Sequence, residues 1–137
     1  MSNSKLVEPT VKYKEEYIEM VEEWKESNEK IIPWVLKMDY TDFEVMVTYF
    51  KNQKEGIQLK EGWVPNSTYW YIVDHKIVGV INIRHYLTSQ LQRIGGHIGY
   101  GVRPSRRRKG YGTEMLKHAL KKAKEIGINE ALITCNQ

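Results

Sequence analysis

The chain has 137 residues, enough for one domain with a real core, and 41% apolar content with 4 Trp, 9 Tyr and 2 Phe excludes intrinsic disorder. No run approaches the ~18 apolar residues of a membrane span. The N-terminal MSNSKLVEPTVKYKEE has no apolar signal-peptide core. A single cysteine, Cys135, excludes an internal disulfide or a cysteine-cluster metal site, and together these features lead us to expect a cytoplasmic protein. The net charge of +4 is uneven: residues 1–60 hold 9 Lys/Arg and 12 Asp/Glu, whereas residues 61–137 hold 12 and 5.

In chain order, Leu6 and Val7 open a short strand. From Thr10 the spacing of Tyr13, Tyr17, Val21 and Trp24 predicts a helix ending near Asn28, and Pro33 interrupts the segment beyond it. Thr41-Asp42-Phe43-Glu44 has the form of a capping box for a second helix through Phe50, closing near Gly56. Val64-Pro65-Asn66-Ser67 is turn-like. Thr68 to Val73 and Ile77 to Tyr86 read as strands joined by a turn at Asp74-His75-Lys76. Ser89 to Arg93 reads as a polar stretch, and Ile94 to Val102 as another strand, rich in glycine and ended by Pro104. Met115, Leu116, Ala119, Leu120, Ala123 and Ile126 form the apolar stripe of a third helix, stopped by Gly127. Ala131 to Cys135 is a final short strand. This order gives an α+β or mixed α/β fold, a single domain with helices in 10–56 and sheet with binding motif in 68–137.

Five of the seven residues 103–109 are basic: Arg103, Arg106, Arg107, Arg108 and Lys109. A focused excess of this kind, leading into a glycine-containing loop and a helix, makes an anion site. The first amides of a helix lack partners within it, its dipole favours negative charge, and glycine lets a phosphate approach the main chain. The Walker pattern fails because Lys109 precedes Gly110, and the dinucleotide fingerprint fails because Met115 stands where a third glycine belongs. The glycine pair Gly99 and Gly101 meets Pro104 instead.

Arg107-Arg108-Lys109-Gly110-Tyr111-Gly112, following Val102-Arg103-Pro104, fits an Arg/Gln-x-x-Gly-x-Gly/Ala signature and resembles the GNAT family of N-acetyltransferases. The resemblance runs back through GGHIGYGVRP and forward through the amphipathic helix to ALITC. It implies the GNAT-like acyl-CoA N-acyltransferase fold, a mostly antiparallel central sheet flanked by helices. It also implies acetyl-CoA as cosubstrate, no metal, and direct acetyl transfer in a ternary complex to a primary amine of a small molecule or peptide. Carried over, Arg107, Arg108, Lys109, Gly110, Tyr111, Gly112 and Thr113 grip the pyrophosphate, largely through main chain. Val102 bonds the pantetheine arm.

Acetyl transfer needs a neutral amine, donors on the thioester oxygen and a proton for the leaving thiolate. By the family's strand pattern the acceptor side carries Tyr100, Ile98 and Gly96, so Tyr100 is a candidate for proton relay or substrate contact. His97, of opposite parity, is expected beneath the helix. His85 is a candidate for proton handling, and Arg84 for binding an acidic group on the acceptor. Tyr17, Trp24, Trp34 and Tyr40 border the acceptor pocket by family analogy, although core packing is the commoner use of such residues. The acidic N-terminal half weakly favours a cationic amine. His75 and His118 are expected to be bland. Four dispersed histidines lack a His-Glu-x-x-His spacing, and no Gly-x-Ser-x-Gly elbow supports a hydrolase triad.

The sequence ends at Cys135-Asn136-Gln137, where the family's next helix is expected. A strand at 131–135 is then an apolar sheet edge, through which a homodimer is expected, and turnover is expected to be weak. Two competing readings remain: a coenzyme-A-binding or regulatory module with little turnover, and a nucleic-acid binder using residues 103–109. The latter has no recognised reading motif, and its basic charge occupies one loop rather than a stripe.

Overall fold

A computed structural model describes residues 4–29, 33–94, 96–131 and 133–134. Five strands form one sheet in the order β1-β2-β3-β4-β5. They are β1 (Ser4–Val7), β2 (Asn66–Val73), β3 (Lys76–Arg84), β4 (Ile98–Val102) and β5 (Ile133–Thr134). The first four form an antiparallel meander, and β5 runs parallel to β4. Of the expected strand at 131–135, Ile133–Thr134 form β5, and Leu132 and Cys135 lie outside the described residues. The β2–β3 hairpin turns on Asp74 (φ 49°) and His75 (φ 70°), both left-handed, as a two-residue turn matching strand twist requires.

Helix α1 (Lys14–Glu26) follows a short 3-10 turn whose first amides are capped by Thr10, with Oγ1 accepting from Lys12 N at 3.4 Å. Its predicted apolar face is buried: Tyr17, Met20, Val21 and Trp24. Helix α2 (Phe43–Glu55) stops at Gly56, whose φ of 74° suits glycine. Its N-cap corrects the expectation by one residue. Asp42, not Thr41, accepts the Val45 amide, while the Thr41 amide donates to Asp39.

Another correction concerns Ser89 to Ile94, which is a helix, α3, rather than a polar stretch continuing into strand. Thr88 caps it through Oγ1 to Leu91 N at 3.2 Å. Strand β4 accordingly starts at Ile98. Helix α4 (Tyr111–Ile126) ends at Gly127 with φ 108°. Met115, Ala119 and Ala123 of its stripe are buried, but Leu120 is 43% exposed. His118, expected to be bland, is half-buried with its ring 5.6 Å from Tyr71.

The sheet separates two cores. On one face Tyr17, Met20, Trp24, Phe43 and Phe50 of α1 and α2 pack on Trp70, Ile72, Ile77 and Val80. On the other, Met115, Ala119 and Ala123 of α4 pack on Tyr69, Tyr71, Ile81, Ile83 and Ile98. Each fully buried aliphatic side chain contributes about 1.5–3 kcal/mol relative to exposure. A bulge intervenes in β3: Tyr71 pairs with Gly79 but Ile72 with Ile77. It switches the parity of β3, sending Ile77 to the α1/α2 face and Ile81 and Ile83 to the α4 face.

Candidate active site

The basic loop joins β4 to α4. Beyond Val102 the chain makes a 3-10 turn at Pro104–Arg106, becomes extended at Arg107, and takes left-handed values at Arg108 (φ 63°) and Gly110 (φ 83°). Helix α4 then begins without any side-chain cap. Nothing lies within 4 Å of where a Cβ on Gly110 would stand, and on Gly112 it would meet only Val102 Cγ2, at 3.7 Å. Gly110 is exposed, so no side chain covers the start of α4 at that position.

The five basic residues divide into two groups. Arg103 is buried, donating to Glu23, Glu19 and the Ile77 carbonyl. Arg107 pairs with Glu29, lies 5.7 Å over the Trp24 ring, and donates to the Val102 carbonyl at 3.0 Å. Arg106, Arg108 and Lys109 make no ion pair among the described residues. The acidic excess of the N-terminal half is thus partly spent within the protein, since Glu19, Glu23 and Glu29 neutralise this loop's anchors.

Strand β5 pairs with β4 at Ile98 and Gly99. Register fixes the faces. Ile83 opposes Ile98, Ile81 opposes Tyr100, and Gly79 opposes Val102, all toward α4. Asn82 opposes Gly99 and Thr68, and Arg84 opposes Asn66, all toward α1 and α2. The expectation that His97 packs beneath the helix is therefore overturned, because α4 covers the other parity of β4. Tyr100 and Arg84, both assigned to the acceptor side from sequence, stand on opposite faces of the sheet.

His85 follows the last residue of β3, whereas the loop leaves β4 beside the start of β3. Its Nε2 is 2.8 Å from Ser67 Oγ, and it borders a depression with Lys54, Tyr69, Lys122 and Glu125. Residues 122 to 126 are the last turn of α4, about 20 Å from its N-terminus. His85 and the basic loop are consequently not brought together. Burial, with the Lys54 charge, pushes the His85 imidazole below its ordinary value, and burial does the same to His97.

On the α1/α2 face lies a cavity of about 350 Å³ that the sequence alone does not disclose. Its walls include Trp34, Trp63, Asn66, Asn82, Arg84 and Glu61. The two indoles meet edge to face with centroids 4.9 Å apart. Pro33, the residue before Trp34, packs on the same face, 3.8 Å from where a Cβ on Gly99 would be. Of the aromatics assigned by analogy to an acceptor pocket, only Trp34 lines it. Tyr17 and Trp24 are core, and Tyr40 packs beside them, donating to Glu22.

Among the described residues no three His, Cys, Asp or Glu side chains gather as a metal set, and no helix is long and apolar enough to cross a membrane. No curated protein matches the sequence significantly. Among solved structures, the chain is similar to a predicted acetyltransferase with acetyl-CoA from Clostridium acetobutylicum. The two are 18% identical with a TM-score of 0.49, the match covering 100% of this chain and 81% of that one. The model of the acetyltransferase (GNAT) family matches residues 12–137. With an open helix N-terminus behind a basic strand-ending loop, and a family match over nearly its whole length, this chain belongs to the GNAT acetyltransferase family.

Proposed function

We propose that this protein moves the acetyl group of acetyl-CoA to a primary amine of a small molecule or peptide, by direct attack in a ternary complex. The observation that carries the reading is the uncapped start of α4 at Gly110, open where a Cβ would be and flanked by Arg106, Arg108 and Lys109 without ion-pair partners among the described residues. These groups fit a diphosphate. Main-chain amides of residues 110–113 supply short-range donors, and the guanidiniums and ammonium supply attraction.

The pantetheine arm would lie along the end of β4 beside Val102. The Val102 carbonyl already accepts from Arg107, yet a carbonyl has a second lone pair. Bound there, acetyl-CoA supplies the activated acyl group. The amine reaches it from the tryptophan-walled cavity on the α1/α2 face. Tyr100 is the candidate for the proton relay, while His85, at the far end of β3 from the loop, takes no part.

Calorimetry with acetyl-CoA tests the seat. Wild type should bind, and Gly110→Glu should lose at least 100-fold in affinity. A side chain at that φ costs about 1–2 kcal/mol of stability, so circular dichroism should still report a folded protein. Unchanged affinity in Gly110→Glu, or tighter binding of an oligonucleotide than of acetyl-CoA, would overturn the reading. Thiol release with a panel of amines then tests turnover. Binding without turnover on any amine would select a coenzyme-binding module instead.

A further inference from the structure

The tryptophan-walled cavity holds an arginine with no anion. Arg84 donates Nη1 to the Gly96 carbonyl at 3.2 Å and forms no ion pair among the described residues. Its guanidinium has further donors to offer. Burial alone lowers its pKa, with no carboxylate acting on it. Glu61, the other charged lining residue, is exposed and makes no ion pair with Arg84.

Beside Arg84 runs a chain of buried amides. Asn66 Nδ2 donates to Gln53 Oε1 and the Val64 carbonyl, both at 3.0 Å. Asn82 Nδ2 donates to Asn66 Oδ1 at 2.9 Å and to Thr68 Oγ1 at 3.2 Å. Both asparagines are thereby held in one orientation with their amide hydrogens consumed. The Asn82 carbonyl oxygen remains as the ladder's acceptor beside the cavity. A rigid cation, an oriented acceptor and an indole wall are what an amphoteric ligand with an apolar body needs.

We infer that the acceptor is a carboxylate-bearing amine of amino-acid or dipeptide size, its carboxylate held by Arg84 and its body against Trp34 and Trp63. This rests on the acetyltransferase reading above and narrows it. Arginine suits the task because its planar fork matches a carboxylate in pairs of hydrogen bonds. A carboxylate at Arg84 leaves an amine to point along β4. Arg84 faces His97, its amide donating to the His97 carbonyl, so Gly99 lies two residues along the strand, about 7 Å, within reach of a ligand of that size.

The test compares free amino acids and dipeptides with their C-terminal amides as acceptors, using thiol release, with acetyl-CoA binding measured separately by calorimetry. Wild type should prefer the acids by roughly 10- to 100-fold in kcat/KM, the worth of a charged hydrogen bond. Arg84→Gln should erase that preference by raising KM for the acids, leave the amides within about twofold, and leave acetyl-CoA affinity unchanged. Arg84→Lys should restore part of it. Equal use of acids and amides by wild type, turnover of neither, or an equal loss on both in Arg84→Gln would overturn the inference. Failure of wild type to bind acetyl-CoA would instead overturn the reading beneath it.

Discussion

Arg103 Nη2 lies 2.9 Å from Glu23 Oε1, a contact that bolts the end of β4 to α1 across 80 residues. The same arginine is only 4% exposed and caps the β3 bulge, its amide donating to the Val78 carbonyl at 2.8 Å and its Nη1 to the Ile77 carbonyl at 3.2 Å. Glu23 in turn accepts from the Ser105 amide at 2.9 Å and hydroxyl at 2.8 Å. One carboxylate therefore shapes the turn that leads into the basic loop.

Glu23→Gln should cost about 2–3 kcal/mol, because it weakens charged hydrogen bonds to a buried guanidinium. Urea denaturation measures this. The pH dependence has a definite sign. Burial pushes the Glu23 carboxyl up, but the hydrogen bonds from Arg103 and Ser105 outweigh it, so the folded group titrates below the ordinary 4.5. Glu19 is also lowered, chiefly by its hydrogen bond from Lys76, but it is largely exposed and its share is screened. A depressed carboxyl stabilises the fold above 4.5, and that stability is lost as pH falls through the lower folded value. Glu23→Gln should flatten the acid limb, and an unchanged limb would show that this carboxylate is not its source.

Arg107 and Arg108 are neighbours with different work, and salt separates them. Arg107 is held by Glu29, the Trp24 ring and the Val102 carbonyl. Arg107→Ala should lower stability by about 1 kcal/mol. Arg108 has no ion pair among the described residues, so Arg108→Ala should leave the melting temperature alone. It should weaken acetyl-CoA binding by roughly 2- to 5-fold. That loss should fade as ionic strength rises, since exposed charges are screened beyond ~10 Å at 0.1 M salt. Calorimetry at two salt concentrations distinguishes the pair, and a salt-independent Arg108 effect would contradict the assignment.

Tyr17 is fully buried among Trp70, Phe43 and Tyr40, with ring centroids 4.9, 5.6 and 6.1 Å away. Its hydroxyl has no hydrogen-bond partner among the described residues, and burial, with Tyr40 adding to it, pushes the phenol's ionisation up. Burying an unpartnered hydroxyl costs about 1–3 kcal/mol, so Tyr17→Phe should be neutral or stabilising by about 1 kcal/mol in urea denaturation. A loss of stability would mean the hydroxyl is satisfied after all.

Much of the fold follows from local chemistry that a sequence carries openly. Thr10, Gly56 and Gly127 mark helix ends because capping needs a hydroxyl or a left-handed residue at one position. The stripes of α1 and α4 follow from helical spacing, and the Arg107–Gly112 run carries the family's signature. The α3 helix was less visible, although Thr88 three residues before Leu91 was a signal for it. A helix that short buries too little for periodicity to register.

The sequence by itself determined the elements, the loop and the family pattern, since each depends on residues close together in the chain. Only the tertiary structure decided which basic residues remain for a ligand and which face each strand residue takes. Arg103 reads like its neighbours until α1 brings Glu19 and Glu23 against it, and Arg84 and Tyr100 separate only once register is fixed. The tryptophan cavity is built from residues 34, 63, 66, 82 and 84, which meet only when the sheet forms. Charge neutralisation and facing are pairwise relations between distant segments, and no stretch of sequence holds both partners.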